Sequence, residues 1–229
     1  MKYLLFLVIT IAFNQSVTAQ KKAIIAAKPV AVTKAANTLK NYRDTASYAL
    51  GFNIGESVKA RYKGIDTKVL IQALQDAINN KTALLDASMT PAIMNKYAYN
   101  MAKATGEAFL QENKKRKNIV VTPSGLQYEI LKQGDGTMPT ATSTVKVHYV
   151  GTYTNGKEFE SSVKNGTPIE FGVNGVIAGW TEALKLMKVG SKYKLYIPQN
   201  LAYGEYGKGN IGPGEALIFE VELLAITQQ

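Results

Sequence analysis

The stretch from Gly172 to Gly190, GVNGVIAGWTEALKLMKVG, decides the fold. It holds the only tryptophan, Trp180. A short apolar run, Val176-Ile177, leads through Ala178-Gly179 into a brief helical pattern. Trp180, Leu184 and Met187 recur at i, i+4 and i+7 and so share one helix face. Gly190 is the expected stop. The segments on both sides read as short strands, so the expected core is a sheet wrapped around this one helix.

Downstream of Ile119 the hydrophobic period is two. Leu126, Tyr128 and Ile130 alternate with Gln127 and Glu129, and Val145, Val147 and Tyr149 with Lys146 and His148. Thr154-Asn155-Gly156-Lys157 is a hairpin signal. Ile169 and Phe171 precede the central helix. Tyr193, Leu195 and Ile197 follow it, and Asn200 to Gly214 is a glycine-rich loop. Leu217, Phe219, Val221 and Leu223 form a last inward face, opposite Glu220 and Glu222. The expected class is α+β: a C-terminal antiparallel half-barrel sheet with one face buried against one short helix.

Upstream the period is helical. Asp44 starts a helix carrying Tyr48, Phe52 and Ile54, with Gly51 and Gly55 inside it. Those glycines mark either a weak helix or the close approach of another. Asp66 caps a second helix over Thr67 to Asn79, with Leu70, Ala73, Leu74, Ala77 and Ile78 in one stripe. Thr90-Pro91 is a start signal, a capping hydroxyl before proline at the first helical position. The pattern then runs to about Lys117, roughly 40 Å at ~1.5 Å per residue. Met94, Tyr97, Ala98, Met101, Thr105, Ala108 and Phe109 lie along one face. Two short helices cannot cover such a face, so a second copy of the chain is expected to supply the missing surface. Lys114-Lys115-Arg116-Lys117 reads as a solvated exit into a linker.

Met1-Lys2, the apolar run Tyr3 to Phe13, and Val17-Thr18-Ala19 have the form of a secretory signal peptide cleaved after Ala19. The run is short of the ~20 residues that span a bilayer, so no transmembrane segment is expected in the mature chain. Residues 20–43 read as a flexible leader, 44–117 as an all-helical dimerisation domain with a long connecting helix, and 118–229 as the α+β domain. The absence of cysteine excludes disulfides and a thiolate nucleophile. The net charge of +10 is concentrated upstream: residues 21–122 carry 17 Lys and Arg against 7 Asp and Glu, and residues 123–229 carry 9 against 10. No recognition motif accompanies the basic half, so nucleic acid is not an expected partner.

Several catalytic readings fail on the residues. His148 is the sole histidine and falls on the polar strand face, so neither a general base nor a metal site is expected. Ser161 and Ser162 lack the G-x-S-x-G context of a nucleophile elbow. Gly204-x-x-Gly207-x-Gly209 sits between strand patterns rather than opening a helix, which argues against a phosphate cradle.

Five ordered motifs carry a resemblance: Val147-His148-Tyr149-Val150-Gly151, Phe159-Glu160-Ser161-Ser162, Val176-Ile177-Ala178-Gly179-Trp180, Leu201-Ala202-Tyr203-Gly204 and Leu217-Ile218-Phe219-Glu220-Val221-Glu222-Leu223-Leu224. Over Pro123 to Ile226 the chain resembles the FK506-binding type of peptidyl-prolyl cis-trans isomerase. Through Ser47-Tyr48-Ala49-Leu50-Gly51 and Ala108-Phe109-Leu110 with Glu112-Asn113, the upstream half is similar to the dimerisation domain of exported two-domain members. That resemblance implies an isomerase that helps exported proteins with X-Pro bonds to fold, without cofactor or metal, as a homodimer. Its place would be the periplasm or the periphery of the outer membrane, and macrolides would be inhibitors. A client-binding chaperone with little turnover is the alternative.

The resemblance also implies site roles. Trp180 is the floor of a proline-binding bowl. Tyr149, Phe159, Phe171, Val176, Ile177 and Phe219 are its walls, and Ile211 lines the outer loop. The Ile177 N–H and the Tyr203 hydroxyl are hydrogen-bond donors. Plain core packing is the rival reading for Phe171 and Phe219. Glu160 stands where the family usually has aspartate. Removing residues 20–117 is expected to leave an active monomer.

Overall fold

The protein is described from a computed structural model covering residues 39–62 and 64–228. The expected signal peptide, and the leader as far as residue 38, lie outside the described residues. Two compact units divide at Arg61 and Tyr62. The first contains α1 (Tyr42–Arg61), which starts two residues before Asp44. Asn41 caps it, its side-chain oxygen accepting from the Asp44 N–H at 3.0 Å. None of its residues is buried.

The second unit begins with α2 (Thr67–Ile78). Asp66 caps it as expected, accepting from the Lys68 and Val69 N–H groups at 2.8 and 3.3 Å. Asn80, at φ 54°, takes the left-handed conformation that commonly ends a helix. The stripe on α2 stays largely uncovered among the described residues: Leu70 is half-buried, and Leu74 and Ile78 are exposed.

The long helix α3 spans Thr90–Asn113. One expectation about it needs correction. Thr90 is its first helical residue and not its cap, which is Met89 without a side-chain bond. Asp86 instead secures the preceding 3-10 turn, accepting from the Ser88 N–H at 2.8 Å. The face buried within the chain is a second one, beside the expected apolar face, on which Met94, Tyr97, Met101 and Phe109 are half-buried. Tyr99, Gly106, Leu110 and Asn113 are buried, while Ala98, Thr105 and Ala108 are exposed. The spacing 99, 106, 110, 113 is itself a helical stripe, but it contains a glycine and an asparagine and so carries little hydrophobic signal.

The sheet is antiparallel throughout, in the order β1 (Val120–Val121), β2 (Gln127–Lys132), β6 (Lys192–Ile197), β7 (Leu217–Gln228), β3 (Thr144–Tyr153), β4 (Glu158–Ser161); β5 (Ile169–Gly172) also pairs with β3. Val145, Val147 and Tyr149 point inward as expected, against α4 (Ala178–Leu184). That helix is shorter than the pattern from Trp180 to Gly190 implied. Met187 is nonetheless fully buried in the turn that follows, and Gly190, at φ 85°, makes the bend into β6. The expected inward Ile130 is 45% exposed, because β1 pairs with only the first two residues of β2.

The expected polar face of the sheet is not all solvated. Tyr196 and Ile218, opposite each other on β6 and β7, are buried beneath Leu110 together with Ala216. Gln127 is also buried. Its amide donates to the Leu110 carbonyl and its oxygen accepts from the Asn113 side chain, both at 2.9 Å. Arg116, expected in a solvated run, donates to the Tyr196 hydroxyl at 2.8 Å and pairs with Glu129 at 2.9 Å. The C-terminal turns of α3 are therefore part of the second unit's packed structure. No helix among the described residues is long and apolar enough to cross a membrane.

Candidate active site

Val173, in the 3-10 turn before the central helix, ties the helix to the start of β3. The Val173 N–H donates to the Ser143 carbonyl at 2.9 Å, and the Thr181 hydroxyl donates back to the Val173 carbonyl at 2.7 Å. A Cβ on Gly179 would stand 2.5 Å from Ile197 Cγ2, so only glycine lets α4 lie this close to β6. Ile177 is the N-cap. Its carbonyl takes the first helical bonds from Trp180 and Thr181, whereas its N–H donates to no group among the described residues.

Trp180 is 5% exposed, and three rings meet it edge-on: Tyr149 at 5.2 Å, Phe171 at 5.4 Å and Phe219 at 5.2 Å between centroids. Edge-to-face pairs of this kind contribute about 0.5–1.5 kcal/mol each beyond area burial. Above them opens a cavity of about 340 Å³. It is lined by Tyr149, Glu160, Phe171, Val176, Ile177, Trp180, Tyr203 and Phe219 from the expected set. The indole is thus the buried base of an open pocket, with room for a five-membered ring.

One expected wall residue stands outside the lining set. Phe159 does not line the cavity. It packs edge-on against Phe219 at 5.6 Å and against Tyr153 at 5.1 Å. Ile211 lies in the outer loop, partly buried against the core, and exchanges two backbone bonds with Lys208. Three lining residues were not anticipated: Ile169, Gly175 and Lys208. Ile169 sits two residues before Phe171, so the strand period places both on one face. Nothing local in the sequence marks Lys208, whose ammonium lies 5.8 Å from the Tyr203 ring centroid.

The polar groups are arranged around Tyr149. Its N–H donates to the Ser162 hydroxyl at 2.8 Å, and the Ser162 N–H returns to the Tyr149 carbonyl at 3.0 Å. Ser162, considered in the sequence only as a nucleophile, instead aligns this strand residue and contacts His148 Nδ1 at 3.1 Å. The Tyr149 phenol and the Glu160 carboxylate both line the cavity. The pKa of Tyr149 is pushed well above the usual phenol value, first by burial and then by that carboxylate. Tyr203 is raised too, by burial and by the charge of Glu160. Both phenols are held protonated, as donors. The chemistry available is binding, desolvation and hydrogen-bond donation.

Two family descriptions match the chain in tandem: "Domain amino terminal to FKBP-type peptidyl-prolyl isomerase" over residues 43–130, and "FKBP-type peptidyl-prolyl cis-trans isomerase" over residues 136–224. The chain is 39% identical over 230 residues to the FKBP-type peptidyl-prolyl cis-trans isomerase FkpA of Aeromonas hydrophila, covering 91% of this chain and 84% of that relative. The chain belongs to the FKBP-type peptidyl-prolyl cis-trans isomerases. The outer membrane protein MIP of Legionella longbeachae, 37% identical, covers 83% of this isomerase and is itself covered to 88%. Among solved structures, FkpA from Escherichia coli aligns at a TM-score of 0.58 and 34% identity, over 83% of this chain and 99% of the other. The isomerase pocket described above falls wholly within the second matched segment.

Proposed function

We propose that this isomerase accelerates rotation about X-Pro bonds in exported proteins by binding the proline ring against Trp180 and shielding the imide from water. The rotation must cross a barrier of ~18–20 kcal/mol set by amide resonance. A planar amide is more dipolar than a twisted one, so removal from water favours the twisted state. The Tyr203 hydroxyl and the Ile177 N–H serve as donors to the substrate's carbonyl groups, an interaction that counts only where it is stronger in the transition state. Glu160 orients Tyr149, keeping the role of the family's usual aspartate despite its extra methylene. The observation that carries this reading is the open aromatic pocket seated on a buried indole.

The test is the isomerisation rate of a proline-containing tetrapeptide. Tyr203→Phe should lower kcat/KM severalfold and Phe219→Ala by more, and a pocket-filling macrolide should abolish the rate. Unchanged rates in both variants would remove the pocket from the mechanism.

Export through a signal peptide cleaved after Ala19 and residence in the periplasm or at the outer-membrane periphery complete the proposal. So does a homodimer built on residues 44–117. Support for the dimer comes from the apolar side chains left uncovered, Tyr48, Leu50 and Phe52 on α1 and Val69, Leu74 and Ile78 on α2. Leu74→Glu combined with Ile78→Glu should halve the mass seen by sedimentation; a wild-type chain already sedimenting as a monomer would refute it.

A further inference from the structure

The loop between β6 and β7 has two sides. One presents Tyr203 and Lys208 to the pocket. The other rests on α3, through backbone contacts so close that each depends on a glycine. A Cβ on Gly214 would stand 2.5 Å from the Tyr99 carbonyl oxygen and 3.0 Å from the Tyr99 ring. A Cβ on Gly106 would stand 2.7 Å from Ala216 Cβ. Tyr99 is 8% exposed, although it lies on the middle turns of a helix whose first two turns have no buried residue. Its ring carries the Lys96 ammonium 4.9 Å from its centroid, and Lys96 also reaches Glu205 of the loop at 3.7 Å.

From Tyr99 a short path leads to the pocket. Gly214, pressed on Tyr99, donates its N–H to the Gly204 carbonyl at 2.8 Å. Gly204 follows Tyr203 directly and donates to the Gln199 carbonyl at 3.0 Å. The base of the loop is therefore closed by the Gly214–Gly204 bond and anchored by the turn before it, and Tyr99 lies against its Gly214 end.

We propose that Tyr99 is a positioning residue for isomerisation: it braces the 204–214 loop from behind and so holds the Tyr203 hydroxyl over the pocket. The long helix, in this view, is a working part of the isomerase unit, and movement of its middle turns changes the rate at a pocket that it does not line. The proposal rests on Tyr203 being a substrate donor, and the experiment separates the two ideas.

Three variants of the full chain are compared: Tyr99→Ala, Tyr203→Phe and the double substitution. Amide hydrogen exchange and kcat/KM on a proline tetrapeptide are the readouts. Tyr99→Ala should speed exchange at Gly204 and Gly214 at least tenfold while leaving Val147 and Val221 at wild-type rates. It should lower kcat/KM about three- to tenfold. The double variant should be no slower than the slower single one, since contacts in one path do not act independently. Tyr99→Leu, which keeps apolar bulk against Gly214, should restore most of both readouts. Unchanged exchange at Gly204 and Gly214 in Tyr99→Ala overturns the brace, as does a double variant whose losses multiply. If Tyr203→Phe alone has no effect while loop exchange still rises, Tyr203 is not the donor and the brace stands on the exchange result.

Discussion

Gly151→Ala tests whether the pocket walls are held by contacts made behind them. Gly151 lies on β3 opposite Phe219, and the Phe159 and Phe219 rings rest on its bare Cα. A Cβ there would stand 2.7 Å from Phe159 Cε2 and Cζ and 2.9 Å from Phe219 Cε1. Ordinary carbon–carbon contact is ~3.5–4.0 Å, so the rings must retreat by roughly 1 Å. Phe219 is boxed in by Trp180 at 5.2 Å, Tyr149 at 6.2 Å and Phe159 at 5.6 Å, and the open volume beside it is the cavity. The added methyl group therefore drives Phe219 into the space meant for proline. Overpacking of this kind costs about 1–3 kcal/mol of stability. Misplacing a site group by ~1 Å can cost on the order of 100-fold in rate. The assay is tetrapeptide isomerisation well below the melting transition, with urea denaturation in parallel. Gly55→Ala, where a Cβ meets nothing within 4 Å, serves as the control and should leave the rate unchanged. A Gly151→Ala enzyme within twofold of wild type would refute the claim that Phe219 is forced toward the cavity.

Three further outcomes follow from the docking of α3 and from the strand charges. Gln127→Ala deprives the buried Asn113 amide of its acceptor and the Leu110 carbonyl of one of two donors, since Lys114 N–H still reaches that carbonyl at 3.1 Å; urea denaturation should show a loss of about 2–4 kcal/mol, and a loss below ~1 kcal/mol would contradict the network. A chain beginning at residue 118 uncovers Tyr196, Ile218 and Ala216, so it should melt earlier and isomerise more slowly than one beginning at residue 95, as differential scanning and the peptide assay can show. Glu220 is held below the usual carboxylate range first by its hydrogen bond from Lys194, against burial, and then by the charges of Lys194 and Lys192. Because the folded pKa is the lower one, this stabilisation is present above the unfolded value of ~4.3 and is lost as pH falls below that value and through the lower folded one. The pair is 36% exposed on the glutamate side, so the contribution should not exceed ~1 kcal/mol, and Glu220→Gln should flatten that part of the acid limb in a pH series of melting temperatures.

The site was legible in part because strand alternation is strictly local. Val145, Val147, Tyr149, Leu217, Phe219 and Val221 face inward as their period of two requires. The i, i+4, i+7 spacing of Trp180, Leu184 and Met187 also led to the right buried face, although the helix itself stops at Leu184. Phe159 shows the limit of that reasoning. Its motif marks it as an aromatic wall, but only the bare Cα of Gly151 lets its ring close edge-on against Phe219, 5.6 Å between centroids.

By itself, then, the order of residues determined the class of fold, the apolar side of each strand, the capped helix after Asp66 and the aromatic character of the pocket, because each follows from hydrophobic period or turn chemistry within a few positions. Tertiary structure decided which face of α3 is buried, why Gln127 and Arg116 are docked groups, and that Lys208 reaches the cavity mouth. Those outcomes depend on partners 13 or more positions away, such as Arg116 with Glu129 and with Tyr196 80 positions on. A polar side chain carries no periodic mark of the partner that will satisfy it, so contacts of that kind appear only once the chain has closed on itself.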